Sequence, residues 1–224
     1  MSDTHPHGGL AVDVFLDVIC PWCYLGKRNL EAALSLVPEL DVAVRWRAFQ
    51  LDPSIPSAGK DRRTYLSEKF ADPRRIEEMH RRLEEVGEAV GVAFAFDRIE
   101  ITPNTLDCHR LIRWAGAEGL GDAMVEALCA AFFSEGRDLT RIETLMAVAD
   151  EVGLDGDEIR DRLESDLDVE IVRAEIDYAG RIGITGVPCF VMGGRYALSG
   201  AQSPEVLADA FTRISAELSA DAAE

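Results

Sequence analysis

Lysine is scarce in this chain: Lys27, Lys60 and Lys69 are the only three, and basic residues number 23 against 41 acidic ones. The formal net charge of −18 argues against nucleic acid as a partner, because phosphate binding needs a basic surface. Most of that charge reads as a solvated face. Long apolar runs are missing too. Nothing approaches the roughly 20 uncharged apolar residues of a membrane span, and the opening MSDTHPHGGL lacks the cationic segment and apolar stretch of a secretory signal. A cytoplasmic protein without membrane attachment is therefore expected. A second close Cys or His pair, which a structural zinc site needs, is also lacking: Cys108, Cys129 and Cys189 stand singly, and His5 and His7 lie in a polar tail. No metal is expected. Five cysteines in a reducing compartment point to catalysis, not to a disulfide framework, and 47% hydrophobic residues suffice for a sizeable core.

What is present is a thiol pair in a telling place. Cys20-Pro21-Trp22-Cys23 follows the apolar run Val12–Ile19 and opens a helical pattern, so a strand hands over to a helix at the first cysteine. Free N–H groups of a helix's first turn favour negative charge, and Pro21 suits that turn because it has no N–H to lose. A cysteine so placed can have its pKa lowered from about 8.5 into a range of roughly 3.5–7.5. The uncharged Pro21 and Trp22 imply a moderate depression. Cys20, nearest the helix end, is expected to attack, and Cys23, one turn further in and less exposed, to resolve the mixed disulfide.

The rest of the chain frames this pair. Leu30, Ala33, Leu34 and Val37 line one helical face, which Pro38 closes. Val42, Val44, Trp46 and Ala48 alternate as a half-buried strand, with Arg45 and Arg47 on its outer face. After the Pro/Ser-rich linker at 51–56, helices are predicted at 73–90, from Thr102-Pro103, near 121–135, at 140–152, 156–165 and 167–182; Phe94-Ala95-Phe96 is ambiguous and reads as a loop plug. Val187–Met192 and Arg195–Ser199 form a hairpin around Gly193-Gly194. A last helix is capped by Ser203, with Pro204 in its first turn and Leu207, Ala210, Phe211, Ile214 and Leu218 on its apolar face. Cys108 and Cys129 share faces with apolar residues and read as core; Cys189 is expected on the opposite sheet face from Pro188, also packed.

Three segments together resemble the FrnE-type proteins among DsbA-like oxidoreductases: Cys20-Pro21-Trp22-Cys23-Tyr24-Leu25-Gly26-Lys27, Pro103–Asp107 running to His109-Arg110-Leu111, and Gly183–Pro188. The resemblance implies an α/β thioredoxin fold, βαβ…ββα, with an inserted all-helical domain: tail 1–10, thioredoxin part 11–55, insertion 56–165, thioredoxin part 166–218, tail 219–224. It implies that Pro188 is a cis-proline beside the dithiol, leaving the Val187 backbone free to pair with an extended substrate. Trp22 and Tyr24, with Pro21, are candidates for apolar substrate contact, the competing reading for the aromatics being packing. Thioredoxins commonly carry a buried acid where this chain has Val14. Asp17 is a candidate substitute as proton acceptor; otherwise it orders the strand-to-helix turn. Asn104 and His109 either line the cleft above Cys20 or make a helix–helix hydrogen bond.

The implied activity is thiol–disulfide exchange on protein or small-molecule disulfides, with no cofactor beyond the dithiol and a low-molecular-weight thiol as candidate co-substrate. A thioredoxin-type or small-thiol reductant is the candidate partner, and the oligomeric state is open between monomer and homodimer. Two alternatives stand beside it: a glutathione-dependent transferase or isomerase of the kappa or 2-hydroxychromene-2-carboxylate type, whose members typically lack one of the two thiols, and a chaperone-like binding module.

Overall fold

The computed structural model describes residues 9–221; His5, His7 and the segments 1–8 and 222–224 lie outside it. Strand β1 (Leu10–Leu16) runs into helix α1 (Pro21–Leu36) and returns as β2 (Val42–Ala48), parallel to β1 with Leu10 opposite Val42 and Leu16 opposite Ala48. At the other end of the chain, β5 (Cys189–Met192) and β6 (Tyr196–Ser199) form the hairpin, followed by the last helix, Pro204–Asp221. The sheet order is β2-β1-β5-β6, with β5 antiparallel to β1. This is the βαβ…ββα order that the resemblance implies.

Both expected tails are shorter than the sequence suggests. Leu10 is buried, and its N–H bonds Asp41 O at 2.8 Å, which draws it into β1. The last helix runs on to Asp221, because nothing in its closing turns breaks it.

Alternation sorts the strands onto two faces. Val12 and Val14 of β1 and Phe190 and Met192 of β5 meet Leu30 and Ala33 of α1 and Leu207 and Phe211 of the last helix. Each of these buried side chains larger than alanine is worth about 1.5–3 kcal/mol. On the opposite face, Phe15 and Cys189 pack under Ala179 of α8 (Val169–Arg181). There Asp13 receives Arg45 and Arg47, and Arg47 also reaches Glu175 at 2.8 Å, which anchors α8 to the sheet.

Between β2 and α8 lie helices α2 (Arg62–Phe70), α3 (Pro73–Ala89), α4 (Leu106–Ala117), α5 (Gly121–Phe133), α6 (Ile142–Val152) and α7 (Gly156–Glu164). This insertion is not wholly helical. Lys60–Asp61 (β3) pairs with Ile101–Thr102 (β4) in a small antiparallel ribbon, entered through Gly59, whose positive φ and close approach to Ile101 leave no room for a side chain. The ribbon also explains why α4 starts four residues later than Thr102-Pro103 suggests: Thr102 belongs to the strand. Phe94 and Phe96 do plug the insertion, stacked on each other at 4.8 Å and set edge-on against Phe133. Among the described residues no helix is long and apolar enough to cross a membrane.

Candidate active site

The strand-to-helix junction places Cys20 at the N-cap of α1 and Pro21 in its first turn. A cap position usually carries a Ser, Thr, Asp or Asn oxygen for the orphan amides. Here the cap side chain makes no such bond, and the first turn holds no acid, so the positive end of the helix is left for the Cys20 sulfur. The turn is closed by Cys20 N–H donating to Asp17 O and Cys23 N–H donating to Cys20 O, both at 3.0 Å.

Both thiols are free. Burial first, then the hydrogen bond with Cys20 and the proximity of its charge, push the Cys23 thiol well above the ordinary range; a hydrogen bond with the Asp17 backbone opposes this, and the Asp17 charge adds to it. Cys23 is therefore held as a proton-bearing partner at neutral pH. Exposure does not separate the two residues, which are 5% and 4% exposed.

Opposite Cys20, the Val187–Pro188 peptide is cis, and the Cys20 thiol donates to Val187 O at 3.5 Å. Pro188 is buried, whereas Val187, Pro21 and Trp22 stay half-exposed and form the accessible rim. Gly26 makes this approach possible: a Cβ there would stand 2.9 Å from Pro188 Cγ.

Asp17, fully buried, divides its two oxygens. Oδ2 accepts from Leu51 N at 2.7 Å, whereas Oδ1 has no hydrogen-bond partner and faces His109 Nε2 at 3.7 Å. His109 Nε2 in turn lies 2.9 Å from Phe49 O; its partner is the residue just past β2, not another helix, and its burial keeps it out of an open cleft. Asn104 donates to Ile55 O at 2.6 Å and accepts from Leu106 N and Gln50 Nε2. Asp17, His109 and Asn104 thus hold one seam, residues 49–55, where the chain leaves the sheet for the insertion.

Across residues 11–212 the chain matches the model of the DsbA-like thioredoxin domain. The chain belongs to the DsbA-like thioredoxin family. The crystal structure of a probable DsbA oxidoreductase from Streptomyces coelicolor superimposes with a TM-score of 0.85 at 32% identity, covering 92% of this chain and 89% of that one. YwbO, an uncharacterized protein of Bacillus subtilis, is 28% identical over 202 residues, 90% of this chain and 95% of its own. The cytosolic disulfide reductase DsbM of Pseudomonas aeruginosa, solved with GSH, shares the fold at a TM-score of 0.62 and 18% identity, covering 96% of this chain and all of that one.

In this DsbA-like protein Tyr24 is a packing residue. It is buried, donates to Glu126 at 2.8 Å, and contacts Phe94 edge-on and Phe133 by stacking. One turn on, the buried Lys27 ammonium sits among Glu31, Asp122 and Glu126; burial pulls its pKa down, and the Glu31 hydrogen bond and the three carboxylate charges raise it overall. Lys27 and Tyr24 thereby fasten α1 to α5. Sequence reasoning missed this cluster, although Tyr24, Lys27 and Glu31 recur at helical spacing. Cys108 and Cys129 are fully buried in the main core, and Cys189 packs on the α8 face, with Ser199 Oγ 3.9 Å from its sulfur. Among the described residues no group of three or more His, Cys, Asp or Glu is placed to hold a metal ion.

Proposed function

We propose that this DsbA-like protein catalyses thiol–disulfide exchange through Cys20 and Cys23, on a protein or small-molecule disulfide. The observation that carries the reading is the uncapped, acid-free helix start that holds Cys20 against the Val187 carbonyl, with a proton-bearing Cys23 one turn behind. The Cys20 thiolate attacks one sulfur of the substrate disulfide and expels the other as a thiolate. Cys23 then gives up its proton and attacks Cys20 Sγ, forming the intramolecular disulfide and releasing the second substrate thiolate; two electrons have passed to the substrate. The reverse sequence oxidises a dithiol. Asp17 Oδ1, buried and without a hydrogen-bond partner, receives the Cys23 proton, while Oδ2 holds the 49–55 seam through Leu51 N.

An extended substrate segment pairs with the Val187 backbone, and Trp22 and Pro21 supply apolar contact at the rim. A low-molecular-weight thiol, of which glutathione is the natural candidate given the fold shared with DsbM, or a thioredoxin-type protein resets the dithiol in the cytoplasm. Cys20→Ser decides among the candidate activities. The expected result is loss of disulfide turnover to background with the fold retained. Unchanged turnover would overturn the proposal, and a Cys20→Ser protein that still isomerised a small acid with glutathione, or still held unfolded protein, would move the function to the isomerase or the chaperone class.

A further inference from the structure

Far along the chain from the dithiol, the insertion contains a charge with no counter-charge. Arg62, the first residue of α2, is 8% exposed, yet among the described residues it has no carboxylate within 4 Å. Its backbone N–H donates to Glu100 O at 2.8 Å, but among the described residues the guanidinium makes one hydrogen bond, a long one from NH1 to Thr102 Oγ1 at 3.4 Å, and its Nε is buried without a partner. The guanidinium lies over the rings of Phe132 and Tyr65, 5.7 and 6.0 Å from their centroids. Such contacts recover only part of what a buried cation loses on leaving water. Burial pushes Arg62 down to about 10, with the Tyr65 side chain opposing slightly, so it is still charged at neutral pH. Nearby, His80 stacks on Phe96 at 4.1 Å and also leaves a buried Nε2 unpartnered; burial and the Arg62 charge keep its imidazole neutral. In a chain of net charge −18, a buried arginine left without an acid is a marked exception.

Arg62 lines a cavity of about 710 Å³ between α2, α3 and the β3–β4 ribbon, within the range of small-molecule sites. Its other walls are largely apolar, formed by Leu66, Ile76, Phe96 and Ile99, and its exposed charged lining is Asp61, Arg63 and Glu100. We infer that this cavity binds a small amphipathic carboxylate, its anionic head on Arg62 and its aliphatic or aromatic body against Leu66, Ile76 and Phe96. Asp61 and Glu100 outnumber Arg63 in that exposed lining, which disfavours ligands of higher negative charge, such as phosphate esters. The apolar walls disfavour a bare inorganic anion.

The test uses the full chain with octanoate, octan-1-ol and inorganic phosphate as probes, read by calorimetry and thermal unfolding. Octanoate is expected to bind saturably and raise the melting temperature. Octanol and phosphate should bind at least tenfold more weakly. Arg62→Met should weaken octanoate binding at least tenfold while leaving the ligand-free melting temperature unchanged or higher, since a cation awaiting its anion burdens the empty site. Arg62→Lys should keep part of the binding. Failure of octanoate to bind, equal binding by Arg62→Met, or phosphate binding as tightly as octanoate would overturn the inference. A lowered melting temperature or loss of folding in Arg62→Met would also overturn it, by making Arg62 a structural group. Cys20→Ser should bind octanoate like the unaltered protein, so the result stands apart from the dithiol chemistry.

Discussion

The thiols at the start of α1 and the three elsewhere are all buried, none being more than 5% exposed, yet their surroundings differ completely. Cys108 and Cys129 are enclosed by apolar side chains on α4 and α5, and burial raises both thiols. Cys189 packs beneath α8 with Phe15, Ala179 and Ile184 and is likewise raised by burial. Cys20 alone occupies a helix cap, has a second thiol one turn away and looks onto a backbone carbonyl across the cis peptide. Reactivity here is a matter of which dipoles and protons surround the sulfur; the amount of water that reaches it does not distinguish the groups. Burial without such dipoles makes a cysteine an ordinary small hydrophobe.

The sharpest way to break this comparison is pH. A thiol whose pKa is raised by folding binds its proton more tightly in the native state, so its stabilising contribution is complete below the unfolded value of about 8.5 and is lost as pH rises above it. Cys108 and Cys129 should each make stability fall by about 1.4 kcal/mol per pH unit there. Urea unfolding under reducing conditions at pH 7, 9 and 10 should therefore give a steep decline in the unaltered protein and a flatter one in Cys108→Ala/Cys129→Ala, whose disulfide turnover stays intact. Equal slopes would mean that these thiols ionise within the fold.

A smaller effect is expected at Asp17. Asparagine can still accept from Leu51 N, so Asp17→Asn should cost little stability, yet it removes the carboxylate proposed to take the Cys23 proton. The resolving step should slow and its pH–rate profile shift, with the formation of the mixed disulfide at Cys20 nearly unchanged. An unaltered profile would reduce Asp17 to its role in holding the 49–55 seam.

How much of this was legible in the sequence depended on the range of the interactions. The β1–α1 junction, the hairpin and the last helix were readable because Pro21, Gly193-Gly194 and Ser203-Pro204 act on their immediate neighbours. Helix α2 was missed because its stretch RRTYLSEKF places only Tyr65 and Leu66, with the arginine itself, on a buried side, too few apolar residues to show a period. The β3–β4 ribbon joins pairs of residues some 40 positions apart, and two-residue strands leave no alternation to read. At the site, both thiols and the proline were visible as motifs. The work of Asp17 and His109 was not, since their partners, Leu51 and Phe49, belong to a seam that only the folded insertion creates. Gly26 could be explained only once Pro188 stood against it.

The most direct test of the account is an equilibrium redox titration of the whole protein, with the thiols trapped by alkylation and mapped by peptide mass. A single two-electron couple is expected, in which Cys20 and Cys23 lose their alkyl labels together and reappear joined in one disulfide, while Cys108, Cys129 and Cys189 stay reduced throughout. A couple that involved any of those three, or labels on Cys20 and Cys23 that never changed with potential, would contradict it.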